Sequence, residues 1–125
     1  MSSGADEPVH TTRGMLDRTL YVALSRPLVP KRELAPHLSA HIGFMIALEE
    51  RGVLFASGPF FEQGEVTGAG MTSVRATSLA EARAILEQDP FVVAGMRAFE
   101  LHEWHLMEGA LKLTVLASKQ RGVVP

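Results

Sequence analysis

Two helical segments alternate with four short strand-like segments in the order β-α-β-β-α-β, which predicts an α+β fold of the ferredoxin-like type, with two helices on one face of an antiparallel sheet. Three observations carry the prediction. Residues 33–51 place apolar side chains at three- and four-residue steps, the period of an amphipathic helix. Residues 78–88 open on Ser78-x-x-Glu81, a capping-box signature. Runs rich in β-branched and aromatic residues, bounded by Gly or Pro, separate these two segments. The 125 residues suffice for one domain with a full core, without disulfide or zinc. Hydrophobic content of 46% and charged content of 21% fit a globular chain.

Each element has its own signal. Residues 1–16 carry Ser, Gly, Asp, Glu and Pro without an apolar period, and read as a flexible tail. The domain is expected over 17–109, followed by a C-terminal extension over 110–125. Residues 19–25 (TLYVALS) form the first strand, stopped by Arg26-Pro27. In the helix over 33–51, Pro36 fits the first turn, where its missing N–H costs nothing. Leu34, Leu38, Ile42, Met45 and Ile46 make the stripe expected to be buried, and His37, His41, Phe44 and Leu48 run beside it. Gly52 is the natural end of that helix. Residues 53–57 (VLFAS) form the second strand, ended by Gly58-Pro59. Residues 60–70 read as a glycine-rich loop with a turn at Gln63-Gly64, and 71–76 as a short third strand. The second helix buries Ala82, Ile85 and Leu86 and ends ahead of Pro90, which disfavours a helical Asp89. Residues 91–96 make an apolar turn, 97–106 the fourth strand, and 111–117 a fifth strand in preference to a short helix.

Composition excludes several function classes. Twelve Lys and Arg against fourteen Asp and Glu give a net charge of −2, so neither nucleic acid nor an anionic membrane is an expected partner. No apolar run approaches the ~18 residues of a membrane span, and residues 1–14 hold no apolar leader core, so a cytoplasmic protein is expected. The absence of Cys excludes disulfides, thiolate metal sites and a Cys nucleophile. Two helices cover one face of the sheet. A second copy is the simplest cover for the other, so a homodimer with its sheets face to face is expected.

The topology also groups chemistry. The start of the first helix (His37, His41), the end of the second strand (Ser57, Gly58, Pro59) and the end of the second helix (Asp89, Pro90, Phe91) fall at one rim of the domain. A carboxylate bonded to one imidazole nitrogen fixes the tautomer and leaves the other nitrogen as an acid or base near neutral pH. A structural reading stands beside it: Asp89 caps the turn before Pro90, and His41 is a satisfied, half-buried residue. Phe60, Phe61 and Phe91 are candidates for an apolar wall or for plain packing, and Ser57 for a polar contact. His37 and His41 share the i, i+4 spacing of a chelating pair, with Asp89 as a candidate third ligand. Leu38, Ser39 and Ala40 intervene in place of H-E-x-x-H, and no metal and no cofactor are expected. His102 and His105, three apart on one strand, face opposite sides and cannot chelate together. Gly64, Gly68 and Gly70 lack the strand-to-helix setting of a nucleotide loop.

Three segments together resemble the YCII-related family of small dimeric α+β barrel proteins. They are residues 41–59 (HIGFMIALEERGVLFASGP), residues 78–95 (SLAEARAILEQDPFVVAG), and the surroundings of Trp104 with Glu108-Gly109. The family's histidine on the first helix is matched by His41, its Gly-x-L-x-x-x-Gly-Pro strand ending by Gly52 to Pro59, and its Asp-Pro-Phe turn by Asp89-Pro90-Phe91 with Ala94-Gly95. The similarity spans roughly residues 19–109. It implies a ferredoxin-like fold, a dimer whose sheets form a barrel, and His41 with Asp89 as an active-site pair. Relatives include a dehydrochlorinase, so the resemblance implies cofactor-independent lyase or isomerase chemistry on a small, cyclic or aromatic-derived metabolite. His37, Ser57, Gly58, Pro59, Phe60 and Phe91 would then contact the substrate. The alternative is a non-catalytic ligand-binding or assembly module of the same fold.

Overall fold

Four strands pair in the order β2-β3-β1-β4. They are β1 (Arg18–Pro27), β2 (Leu54–Glu62), β3 (Glu65–Val74) and β4 (Arg97–Leu106). The computed structural model describes residues 7–124. Both β1 and β2 run antiparallel to β3, with Leu24 opposite Met71 and Ser57 opposite Thr72. The first helical stretch comprises α1 (Lys31–Leu34), a 3-10 turn (Ala35–His37) and α2 (Leu38–Glu50). The second comprises α3 (Leu79–Leu86) and the one-turn α4 (Pro90–Val93). This is the α+β, ferredoxin-like order that the sequence predicts.

Residues 19–105 make one compact unit, and the flanking segments make a second. In the flanks, residues 7–16 carry neither helix nor strand. The rest of the expected flexible tail, residues 1–6, and residue 125 of the extension lie outside the described residues. The strand expected over 111–117 is shorter, β5 (Thr114–Leu116), and pairs with an unforeseen β6 (Arg121–Val123). The reversal passes through a 3-10 turn and Gln120 at φ +51°, a left-handed position that a periodicity argument does not see.

Three further boundaries differ from expectation. Helical structure begins at Lys31, directly after Pro30, so Pro36 falls past the first turn. Its missing N–H and ring tighten the backbone there into 3-10 form instead of fitting an α-helical start. Residues 60–70 are no loop. They complete the β2-β3 hairpin, with Glu62 opposite Glu65 across the two-residue turn Gln63-Gly64. Both turn residues have positive φ, +51° and +82°, the geometry that matches strand twist in tight hairpins. The apolar turn expected over 91–96 contains α4, which Asp89 caps.

The end of α2 closes as its sequence suggests, and α3 opens on half of its capping box. After Arg51, Gly52 adopts φ +73°. Its N–H bonds the Glu49 carbonyl and Val53 N–H bonds that of Leu48, a Schellman closure. Ser78 Oγ accepts from Glu81 N–H at 3.0 Å, while the Glu81 carboxylate turns to the Thr77 hydroxyl at 2.6 Å. The core lies between α3 and the sheet, where Tyr21, Ala23 and Val74 meet Ala82 and Leu86, with Phe99 and Leu101 packed alongside.

Candidate active site

The helix α2 does not bury the stripe its periodicity suggests. Leu48, from the neighbouring row, is 1% exposed, whereas Leu38 and Ile42 are each 47% exposed. The helix packs on α4 and β2, with His41 stacked on Phe91 of α4 and Leu48 buried. Its apolar stripe instead lines a cavity of about 590 Å³ between α1-α2 and the sheet. Leu38, Ile42, Met45 and Ile46 form one wall, and Leu54, Ser57, Pro59, Gly70 and Thr72 the facing wall. The size and the apolar walls with few polar groups are those of small-molecule sites.

Charged and titratable groups also line the cavity: Lys31, His41, Glu49 and Arg97. His41, in the first turn of α2, lines it together with Phe91 and Arg97. Its Nδ1 lies 2.9 Å from both Asp89 Oδ1 and Oδ2. Asp89 is 4% exposed, and its Oδ1 also accepts the Phe91 N–H at 3.0 Å, capping α4. The carboxylate therefore does both things that its position before Pro90 suggests. It accepts from Nδ1–H and leaves Nε2 as the ring nitrogen with a free lone pair; among the described residues nothing hydrogen-bonds Nε2. The His41 ring stacks on Phe91, with centroids 4.6 Å apart. The Arg97 guanidinium sits over the same Phe91 ring at 4.4 Å. Burial holds that guanidinium below its usual value, and the charge of Asp89 offsets part of the effect.

Ser57, Gly58 and Pro59, which lie within β2 and not at its end, line the cavity together with His41 and Phe91, whereas Asp89 does not. His37 and Phe60 are not among the lining residues: His37 ends the 3-10 turn, and Phe60 lies where the β2-β3 register shifts, 43% exposed. Sequence reasoning leaves the phenylalanines open between an apolar wall and plain packing and places the α2 stripe in the core, because a stripe facing a cavity has the same periodicity as one facing packed side chains. It also passed over Arg97, whose signal was present. Arg97 shares its strand face with Phe99 and Leu101, so a cation occupies an inward register. Among the described residues no group of three or more His, Cys, Asp or Glu side chains is placed to hold a metal ion. No helix among them is long and apolar enough to cross a membrane.

Comparison with known proteins places this geometry in context. The YCII-related domain matches residues 19–105, the whole of the unit that holds the cavity. No curated protein matches the chain. Among solved structures, the chain is similar to 5-chloro-2-hydroxyhydroquinone dehydrochlorinase (TftG) from Burkholderia phenoliruptrix AC1100, determined in complex with 2,5-dihydroxybenzoquinone. The TM-score is 0.58 at 20% identity, covering 68% of this chain and 92% of that one. That likeness is one of fold.

Proposed function

The chain belongs to the YCII-related domain family, and on that premise we propose that it catalyses cofactor-independent lyase or isomerase chemistry on a small cyclic or aromatic-derived metabolite. The observation that supports this is His41 on the wall of the cavity, backed by the buried carboxylate of Asp89, with Nδ1 bonded and Nε2 unbonded. In this reading Nε2 of His41 takes a proton from a ring carbon or hydroxyl of the bound substrate. The released electron pair either expels a leaving group as an anion or moves a double bond. The imidazolium, stabilised by Asp89, then returns the proton to the product or to solvent. Such a base contributes about 10²–10⁴-fold in rate. Asp89 touches no substrate; it orients the ring and fixes its tautomer. Ser57 offers a hydroxyl from the facing wall, and Gly58, Pro59 and Phe91 shape the space. The working form is a cytoplasmic homodimer joined through the sheet face opposite the helices.

The test is a turnover screen of small ring compounds, chlorinated hydroxyhydroquinones among them, followed by absorbance and halide release. The expected result is turnover in the native protein and a loss of about 10²-fold or more in His41→Gln, which keeps a donor for Asp89. Equal turnover in the two proteins contradicts the role of His41. Saturable binding with no turnover of any compound favours the non-catalytic ligand-binding module instead.

A further inference from the structure

We propose that Arg97 anchors an oxyanion of the substrate, so that the cavity selects small ring compounds carrying a carboxylate or an ionised ring hydroxyl. This rests on the reading of the cavity as the reaction site, and it narrows the substrate class. Arg97 opens β4 and lines the cavity. A guanidinium has five N–H donors, yet this one makes a single hydrogen bond, from Nη2 to the Gly68 carbonyl at 3.3 Å. Its Nε is buried without a partner. Among the described residues no carboxylate forms an ion pair with it, Asp89 being bonded to His41 and to the α4 backbone.

A half-desolvated cation with idle donors is costly to keep unless something completes it. No protein group completes it: Phe91 beneath the guanidinium presents only a ring face, and Glu49, which also lines the cavity, forms no ion pair with it. The group that fits is an anion with two coplanar oxygens, or one oxyanion next to a ring, since the guanidinium fork matches carboxylate geometry and binds it bidentately. In an apolar cavity such a pair is stronger than in water. His41 and Arg97 both rest on the Phe91 ring and both line the cavity, so an anion held at Arg97 keeps the attached ring in the same cavity as His41.

The test uses charge-matched probe pairs on the full chain, with affinities from calorimetry. Benzoate against benzamide reports a carboxylate; 4-nitrophenolate against 4-nitroanisole reports a ring oxyanion. The expected result is a preference of about tenfold or more for the anion in at least one pair, and that pair names the source of the oxyanion. Arg97→Gln erases the preference, and Arg97→Lys, which keeps the charge without the fork, weakens it. If Arg97→Gln does not fold, the native preference and its weakening in Arg97→Lys carry the test. Equal affinity within both pairs, a preference that survives in Arg97→Gln, or no saturable binding of any probe at millimolar concentration overturns the proposal. His41→Gln retains the anion preference, so a failure of the proton-transfer reading is distinguishable from a failure of the anchor.

Discussion

At the scale of single residues, Asp89 is the hinge of the site because one carboxylate serves two donors. The Phe91 N–H fixes Oδ1 while Nδ1 of His41 lies 2.9 Å from both oxygens. In Asp89→Asn the cap keeps the carbonyl oxygen on Phe91 N–H, which turns the amide NH₂ toward Nδ1. The imidazole must then accept at Nδ1 and carry its proton on Nε2, the wrong tautomer for a base. The expected outcome is a folded protein whose turnover falls by about 10²–10⁴-fold, read by kinetics beside circular dichroism. His41→Ala differs from His41→Gln for a related reason. It strips a buried carboxylate of a donor, so it is expected to cost about 1–3 kcal/mol of stability in urea unfolding, and His41→Gln less. The pair was legible in the sequence because Asp-Pro forces a turn, and the topology delivers that turn to the start of the first helix. Arg97 was harder to see, since an isolated cation at a strand start looks like an exposed one until its register with Phe99 and Leu101 is fixed.

At the scale of elements, the rotation of α2 decides which apolar residues hold the fold and which shape the cavity. Leu48, at 1% exposure, is expected to cost about 2–5 kcal/mol when changed to Ala. Ile42→Ala, on the cavity wall, is expected to cost clearly less and to change ligand affinity instead. Denaturation midpoints for the two variants check the ordering; equal losses would place Ile42 in the packed core. The hairpin is a second case. A Cβ on Gly70 would stand 2.7 Å from the Gly58 carbonyl oxygen, so Gly70→Ala must push β3 from β2. The expected cost is about 1–3 kcal/mol, with a fall in melting temperature. Glycines at 64, 68 and 70 suggested a loop, but here they serve a tight turn, a positive φ of +89° beside the register shift, and a close strand contact. Local composition does not separate these uses from a flexible loop. The Phe60-Phe61-Glu62 and Glu65-Val66-Thr67 flanks around Gln63-Gly64 were the available sign of a hairpin.

At the scale of the whole molecule, the order of helices and strands followed from the sequence because three helix ends carry strong local signals: Gly52 after the first, Ser78 before the second and Pro90 beyond it. The cavity did not, because its volume depends on how far α2 stands from the sheet, which no periodicity encodes. By strand alternation, Leu24 and Trp104 point away from the helices, and Trp104 is 42% exposed. A homodimer joined through this face is expected to give twice the 13.6 kDa chain mass in light scattering, and Trp104→Glu to shift it toward monomer. A native monomer at micromolar concentration contradicts the face-to-face dimer.

The most direct measurement is the tautomer of the neutral His41 imidazole, read from its two nitrogen-15 shifts, in the native protein and in Asp89→Asn. It needs no substrate. The expected result is a proton on Nδ1 and a bare Nε2 in the native protein, reversed in Asp89→Asn. A native ring already protonated on Nε2, or a tautomer indifferent to the substitution, contradicts the assignment of His41 as the base of this site.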